Sequence, residues 1–172
     1  MKRSKTVLSV LSIAVISILA LGLTSTPVFA YSNTSTATIA VSADIVAYCT
    51  VSTNPLPFST YNGTAIQVTT SISVTCTNNT QYSVGLNAGQ AGGANYSARY
   101  MAGTNNSANH LNYTITSVSY AGNNWGNDAG SNWVSGTGSG SSQSINVYGA
   151  VPAGQVLNID TYSDLITVTV NY

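Results

Sequence analysis

The chain has 172 residues, of which 44% are hydrophobic and only 5% charged: four basic and four acidic side chains, with one histidine and two cysteines. So few cations leave no basic patch to neutralise phosphates, which excludes nucleic acid as a partner. One His and four carboxylates are also too few to converge on a metal ion, and no cofactor is implied.

The first element in chain order is a leader. Lys2, Arg3 and Lys5 precede an apolar stretch at 7–23, softened by Ser9, Ser12 and Ser17, and Val28-Phe29-Ala30 forms a small-x-small cleavage site. Residues 1–30 therefore read as a secretory signal peptide, and the exported chain is expected to begin at Tyr31. The stretch is short for a membrane span, and Pro27 and the cleavage signature follow it directly. No stable membrane insertion is expected after cleavage. What remains is one domain's worth of chain. Arg99 is its only basic residue, and Asp44, Asp128, Asp160 and Asp164 are its only acids, a net charge of −3.

The run at 36–51, TATIAVSADIVAYCTV, has a small or apolar side chain at every odd position: Ala37, Ile39, Val41, Ala43, Ile45, Ala47, Cys49 and Val51. The even positions are mostly polar, with Ala40, Val46 and Tyr48 as exceptions. Period two marks one extended segment. At about 3.3 Å per residue it would span about 50 Å, whereas a strand in a small domain covers about 17–20 Å. Half of the run is expected as a strand of this domain. The other half either seeks a different sheet or belongs to one long strand that bends between the two sheets of its own sandwich.

Cys49 and Cys76 are the only cysteines. In an exported chain an even pair reads as one structural disulfide, with Cα atoms about 4.4–6.8 Å apart. A redox or metal role would need a helix N-terminus or further ligands, and neither is visible.

Strand follows strand from there. Ile66, Val68, Thr70, Ile72, Val74 and Cys76 make one alternating face, and Tyr82, Val84, Leu86 and Ala88 the next. A glycine-rich turn follows at 89–93. Tyr100-Met101 and residues 111–115 are shorter candidates, separated by the polar loop 103–110. Val118 and Tyr120 lead into a loop at 121–133 that is dense in Asn and Gly. Residues 135–142, SGTGSGSS, read as a flexible connection. Ile145, Val147 and Gly149 form another strand, and Pro152-Ala153-Gly154 a turn. Ile166, Val168, Val170 and Tyr172 then alternate to the last residue, expected inward, with Thr167, Thr169 and Asn171 outward. No stretch after the leader has helical periodicity. Short alternating strands with turn signals between them predict an all-β, antiparallel sandwich.

Sites of chemistry are sparse. His110, in the polar stretch NNSANHLN, reads as a solvated loop residue. With one His and no nucleophile motif, no catalytic residue is assigned and the chain is not expected to be an enzyme. Trp125 and Trp133 stand among Asn124, Asn127, Asp128 and Asn132. They either cover one end of the sandwich or form a stacking surface for sugar.

The ordered set of short motifs resembles the spore coat protein U family, whose domain also serves subunits of archaic, Csu-type chaperone–usher pili. The resemblance is carried by Cys49-Thr50-Val51, Ser73-Val74-Thr75-Cys76, Tyr82-Ser83-Val84-Gly85-Leu86-Asn87-Ala88-Gly89 and Leu111-Asn112-Tyr113. It continues through Trp125-Gly126, Val147-Tyr148-Gly149-Ala150-Val151-Pro152-Ala153-Gly154-Gln155, Tyr162-Ser163-Asp164 and Val168-Thr169-Val170-Asn171-Tyr172. One departure is Ala98-Arg99-Tyr100-Met101, where the family often has consecutive basic residues before the Met.

The resemblance implies an incomplete immunoglobulin-like sandwich that lacks its last strand. Donor-strand complementation would fill the resulting groove, first with a strand of a periplasmic chaperone and then, at an outer-membrane usher, with the N-terminal extension of an identical or related pilus subunit. On this basis residues 1–30 are the signal peptide, 31–43 the donor-strand extension and 44–172 the pilin-like domain. Ile39, Val41, Ala43 and Ile45 would be the donor anchors. Ile166, Val168, Val170 and Tyr172 would form the groove strand that meets the chaperone, with basic residues of the chaperone gripping the carboxylate of Tyr172. The implied function is an exported pilus subunit that passes through the periplasm to the cell surface and supports adhesion and biofilm. The alternatives are a self-contained spore-coat or cell-surface sandwich, and a carbohydrate-binding module built on the Trp loop.

Overall fold

A strand needs a partner for its N–H and C=O groups as well as an alternating pattern, and this decides where the long run at 36–51 enters the fold. The computed structural model describes residues 32–128 and 132–172; the leader read at 1–30 and the cleavage point at Tyr31 lie outside them. Strand β1 is Cys49–Thr53 and pairs antiparallel with β2, Ile66–Cys76, from Cys49↔Cys76 to Thr53↔Ile72. Because β2 ends at Cys76, only residues 49–51 of the run become strand, fewer than the half expected. Residues 32–48 form no helix or strand.

The remaining strands are β3 (Gln81–Leu86), β4 (Arg99–Gly103), β5 (His110–Thr116), β6 (Val134–Thr137), β7 (Ser142–Val151), β8 (Tyr162–Ser163) and β9 (Val168–Asn171). They build two sheets, ordered β1-β2-β7-β5-β4-β8 and β6-β3-β9, with antiparallel pairing throughout. No helix occurs among the described residues. Chain contacts divide the molecule into two units, Met1–Ser42 and Ala43–Tyr172, and all nine strands belong to the second.

The predicted alternation appears as burial. On β2, Ile72, Val74 and Cys76 are buried while Gln67 and Thr69 are exposed. The core takes Ile72, Val74, Met101, Leu111, Tyr113, Ile115, Val147 and Val151 from the larger sheet and Tyr82, Val84 and Leu86 from the smaller. Two apolar faces thus close on each other, the sandwich solution for half-buried sheets.

Three expectations need correction. Residues 135–137 are strand, not flexible connection: β6 pairs with β3 from Val84↔Val134 to Gln81↔Thr137. Gly136 is there for space, since a Cβ on it would stand 2.5 Å from the Tyr82 ring. Trp125 does not cover an end of the sandwich. It is 2% exposed in the core, and its Nε1 donates to the Val84 carbonyl at 2.8 Å. His110 opens β5 rather than lying in the loop, and its exposed ring stacks on Tyr100 at 3.8 Å.

Cys49 and Cys76 are disulfide-bonded with Cα atoms 4.1 Å apart. That is just under the range expected and close to the ~4.5 Å of a non-hydrogen-bonded antiparallel pair. The flanking pair carries the backbone bond, Thr77 N–H to the Tyr48 carbonyl at 2.9 Å.

Candidate functional site: an apolar cleft beside an open sheet edge

The smaller sheet ends at β9, whose only partner strand among the described residues is β3. Its other edge carries free N–H and C=O groups, a template for one more strand. The larger sheet ends on the same side at β1, which approaches β9, and the sandwich opens where β1 ends at Thr53. A cleft of about 510 Å³ lies there. Residues 53–58 form one rim and residues 164–166, with Val168, the other. The floor is Thr70, Ile72, Leu86, Met101, Tyr113, Ile115 and Val147.

The first rim explains why the cleft stays open. Pro55 and Pro57 have no N–H to give to a ladder, so the chain passes the edge without becoming a strand. Leu56 and Phe58 turn inward over Gly149 of β7, where a Cβ would come within 2.7 Å of Leu56. Phe58 also meets Tyr113 at a ring distance of 5.9 Å. Sequence reasoning passed over this rim. The alternation of Leu56 and Phe58 between prolines was the available signal.

The floor rests on polar supports. Arg99 is 1% exposed and donates to the carbonyls of Leu86, Asn87, Tyr96 and Trp125 at 2.6–3.1 Å. Burial pulls its pKa below the usual arginine value, against the opposing pull of Tyr113 and Asp164. The guanidinium supplies the donors that these carbonyls lack within the sheets. Tyr113 donates to Asp164 Oδ2 at 2.6 Å. Burial first, and then this bond to a carboxylate, push the Tyr113 phenol well above its ordinary value. Asp164 Oδ1 accepts from the backbone N–H groups of Gln90 and Leu165 at 2.7 and 2.8 Å, fixing the second rim.

The site residues named from the sequence fall in two groups. Ile39, Val41 and Ile45 are 88%, 90% and 88% exposed, and Ala43 is exposed as well. Ile166 and Val168 line the cleft, and Val170 packs on the core beside them. Tyr172, expected inward, is 58% exposed: the ladder to β3 ends at Asn171↔Ser83, and no strand covers the ring beyond it. Thr169, expected outward, is half-buried. Trp125 is too deeply buried to stack on a sugar. Among the described residues no group of three His, Cys, Asp or Glu side chains could hold a metal ion, and no helix is long and apolar enough to cross a membrane.

The fold has a counterpart in the crystal structure of the CsuC–CsuE chaperone–tip adhesion subunit pre-assembly complex from archaic chaperone-usher Csu pili of Acinetobacter baumannii. The match has a TM-score of 0.56 and 23% identity, and covers 74% of this chain and 40% of that one. The likeness is one of fold, an immunoglobulin-like sandwich of the pilin type, and this chain spans two-fifths of that neighbour's length. No curated protein matches the chain. The Spore Coat Protein U domain, however, matches residues 35–169, most of the sequence and every strand but the end of β9. The chain belongs to the Spore Coat Protein U domain family.

Proposed function

We propose that this protein is an exported subunit of a chaperone–usher pilus and polymerises by donor-strand exchange. One observation carries the reading: an apolar cleft beside the unpaired edge of β9, in a chain that also displays Ile39, Val41, Ala43 and Ile45, exposed and at alternate positions. An extended segment added to a sheet edge gains main-chain hydrogen bonds, while alternate side chains enter the pockets beneath. Each large apolar anchor withdrawn from water stabilises the contact by about 1.5–3 kcal/mol.

Residues 31–43 and the anchor Ile45 act as the donor for another subunit. Ile166, Val168, Val170 and Tyr172 form the strand that first meets a periplasmic chaperone and then the donor; that the neighbour sharing the fold is a chaperone–subunit pre-assembly complex supports a chaperone as partner. An outer-membrane usher exchanges one for the other. The subunit is thus structural rather than enzymatic, resides briefly in the periplasm and ends at the cell surface, where the fibre supports adhesion and biofilm.

Deleting residues 31–43 tests this. With a chaperone co-expressed, the deleted chain should accumulate folded and disulfide-bonded, yet form no polymers. Fibres of normal length from that deletion would refute the donor assignment.

A further inference from the structure

Where the anchor-bearing segment joins its own domain, it is held by one residue, through both its side chain and its backbone N–H. Thr77 follows the last residue of β2. Its hydroxyl accepts from the Tyr48 N–H at 3.1 Å and lies 3.2 Å from the carbonyl oxygens of both Val46 and Tyr48, to either of which it can donate. Its backbone N–H donates to the Tyr48 carbonyl at 2.9 Å. The next pair inward is the Cys49–Cys76 disulfide. Residues 46–48 are therefore held in line with β1, past the end of β2. They lead away from Thr53, where the lining of the cleft begins.

We propose that Thr77 is a positioning residue for strand exchange: it holds the base of the donor segment in line with β1 and so bars a subunit from filling its own cleft. The inference rests on the donor-strand reading above. Antiparallel register makes it concrete. With residues 46–48 held, the tightest reversal is a two-residue turn at Asp44 and Ile45. Ala43 would then stand opposite Val46, Val41 opposite Tyr48 and Ile39 opposite Thr50, and only Thr36 would reach the level of Thr53. Every anchor stops short of the cleft. Freed from the hydroxyl, with only the Thr77 N–H left on the Tyr48 carbonyl, the turn can move to Val46 and Ala47. Val41 then comes opposite Ser52 and Ile39 opposite Asn54, at the cleft rim. The clamp thus separates a chain that closes on itself from one that must use a neighbour.

The test compares the exported, oxidised chain with Thr77→Val and Thr77→Ser. Size exclusion reads the monomer-to-polymer ratio, and hydrogen exchange reads the amides of residues 36–45 in the monomer fraction. Wild type should polymerise, and its residual monomer should exchange rapidly at 36–45. Thr77→Val should raise the monomer share on the order of tenfold, the worth of one or two hydrogen bonds, with 36–45 newly protected. Thr77→Ser, which keeps the hydroxyl, should behave as wild type. A Thr77→Val chain that polymerises like wild type with no protected monomer overturns the proposal. So does a wild-type monomer already protected at 36–45, a measurement that decides the matter even where the Val variant does not fold. The deletion of 31–43 separates the two readings. Polymers that persist without the segment sink the donor assignment. Polymers that vanish on deletion but ignore Thr77→Val sink only the role of Thr77.

Discussion

Placing a carboxylate on the donor face is the sharpest test of assembly, and Val41→Asp is the substitution to make. Val41 is 90% exposed in its own chain, so the change touches nothing in that subunit's core. In a neighbour's cleft the effect has two parts. The lost burial of the valine is about 2 kcal/mol. The new carboxylate meets a floor of Ile72, Leu86, Met101, Ile115 and Val147, where the side-chain donors are the hydroxyls of Thr70 and Tyr113, too few to replace the water around a charge. The one phenol there, Tyr113, already donates to Asp164, itself an acid. An unpaired charge in such a place costs at least about 3 kcal/mol. The total of about 5 kcal/mol lowers the affinity between subunits by three to four orders of magnitude, at about 1.4 kcal/mol for each factor of ten. Size exclusion and electron microscopy of the exported chain should show monomer in place of fibres. The melting temperature should match wild type, and Val41→Ile should assemble. Fibres at wild-type yield would refute the donor reasoning. A fall in the variant's own stability would instead place Val41 inside its own domain.

Two further outcomes follow from the same geometry. Replacing Cys49 and Cys76 together by Ser should lower unfolding free energy by about 3.5 kcal/mol, the chain-entropy value for a loop of this length; urea titration showing a loss below about 1 kcal/mol would contradict it. Burial raises the Tyr113 phenol, so its contribution is fully present below the unfolded tyrosine pKa of about 10 and is lost as pH rises towards the higher folded value. Melting curves should therefore fall on the alkaline side in wild type, and Tyr113→Phe should flatten that limb while losing about 1–3 kcal/mol at neutral pH, because Asp164 Oδ2 is left without its donor.

Patterning alone carries most of the sandwich. A side-chain period of two is a local property, so the alternation in 66–76, 82–86 and 145–149 marks strands wherever the chain folds, and two cysteines in an exported chain point to one bridge. The same pattern marks 36–51 as extended but cannot say which sheet receives it, because Ile39, Val41 and Ile45 satisfy the alternation equally in their own sandwich or in another's. Tertiary structure decided what depends on partners. Ser135, Gly136 and Thr137 have no apolar rhythm and become strand only because β3 offers an edge and Gly136 yields room to Tyr82. Arg99, the only Lys or Arg beyond residue 5 of the sequence, looks like a surface residue until carbonyls from three separate segments converge on it. Trp125, set in a loop of Asn and Gly, is drawn into the core by the Val84 carbonyl. The cleft itself is built from residues far apart in sequence, Leu56, Ile72, Met101, Val147 and Val168 among them. Among the described residues β9 pairs only with β3, and the alternation of Ile166, Val168 and Val170 does not tell which edge of the strand is paired.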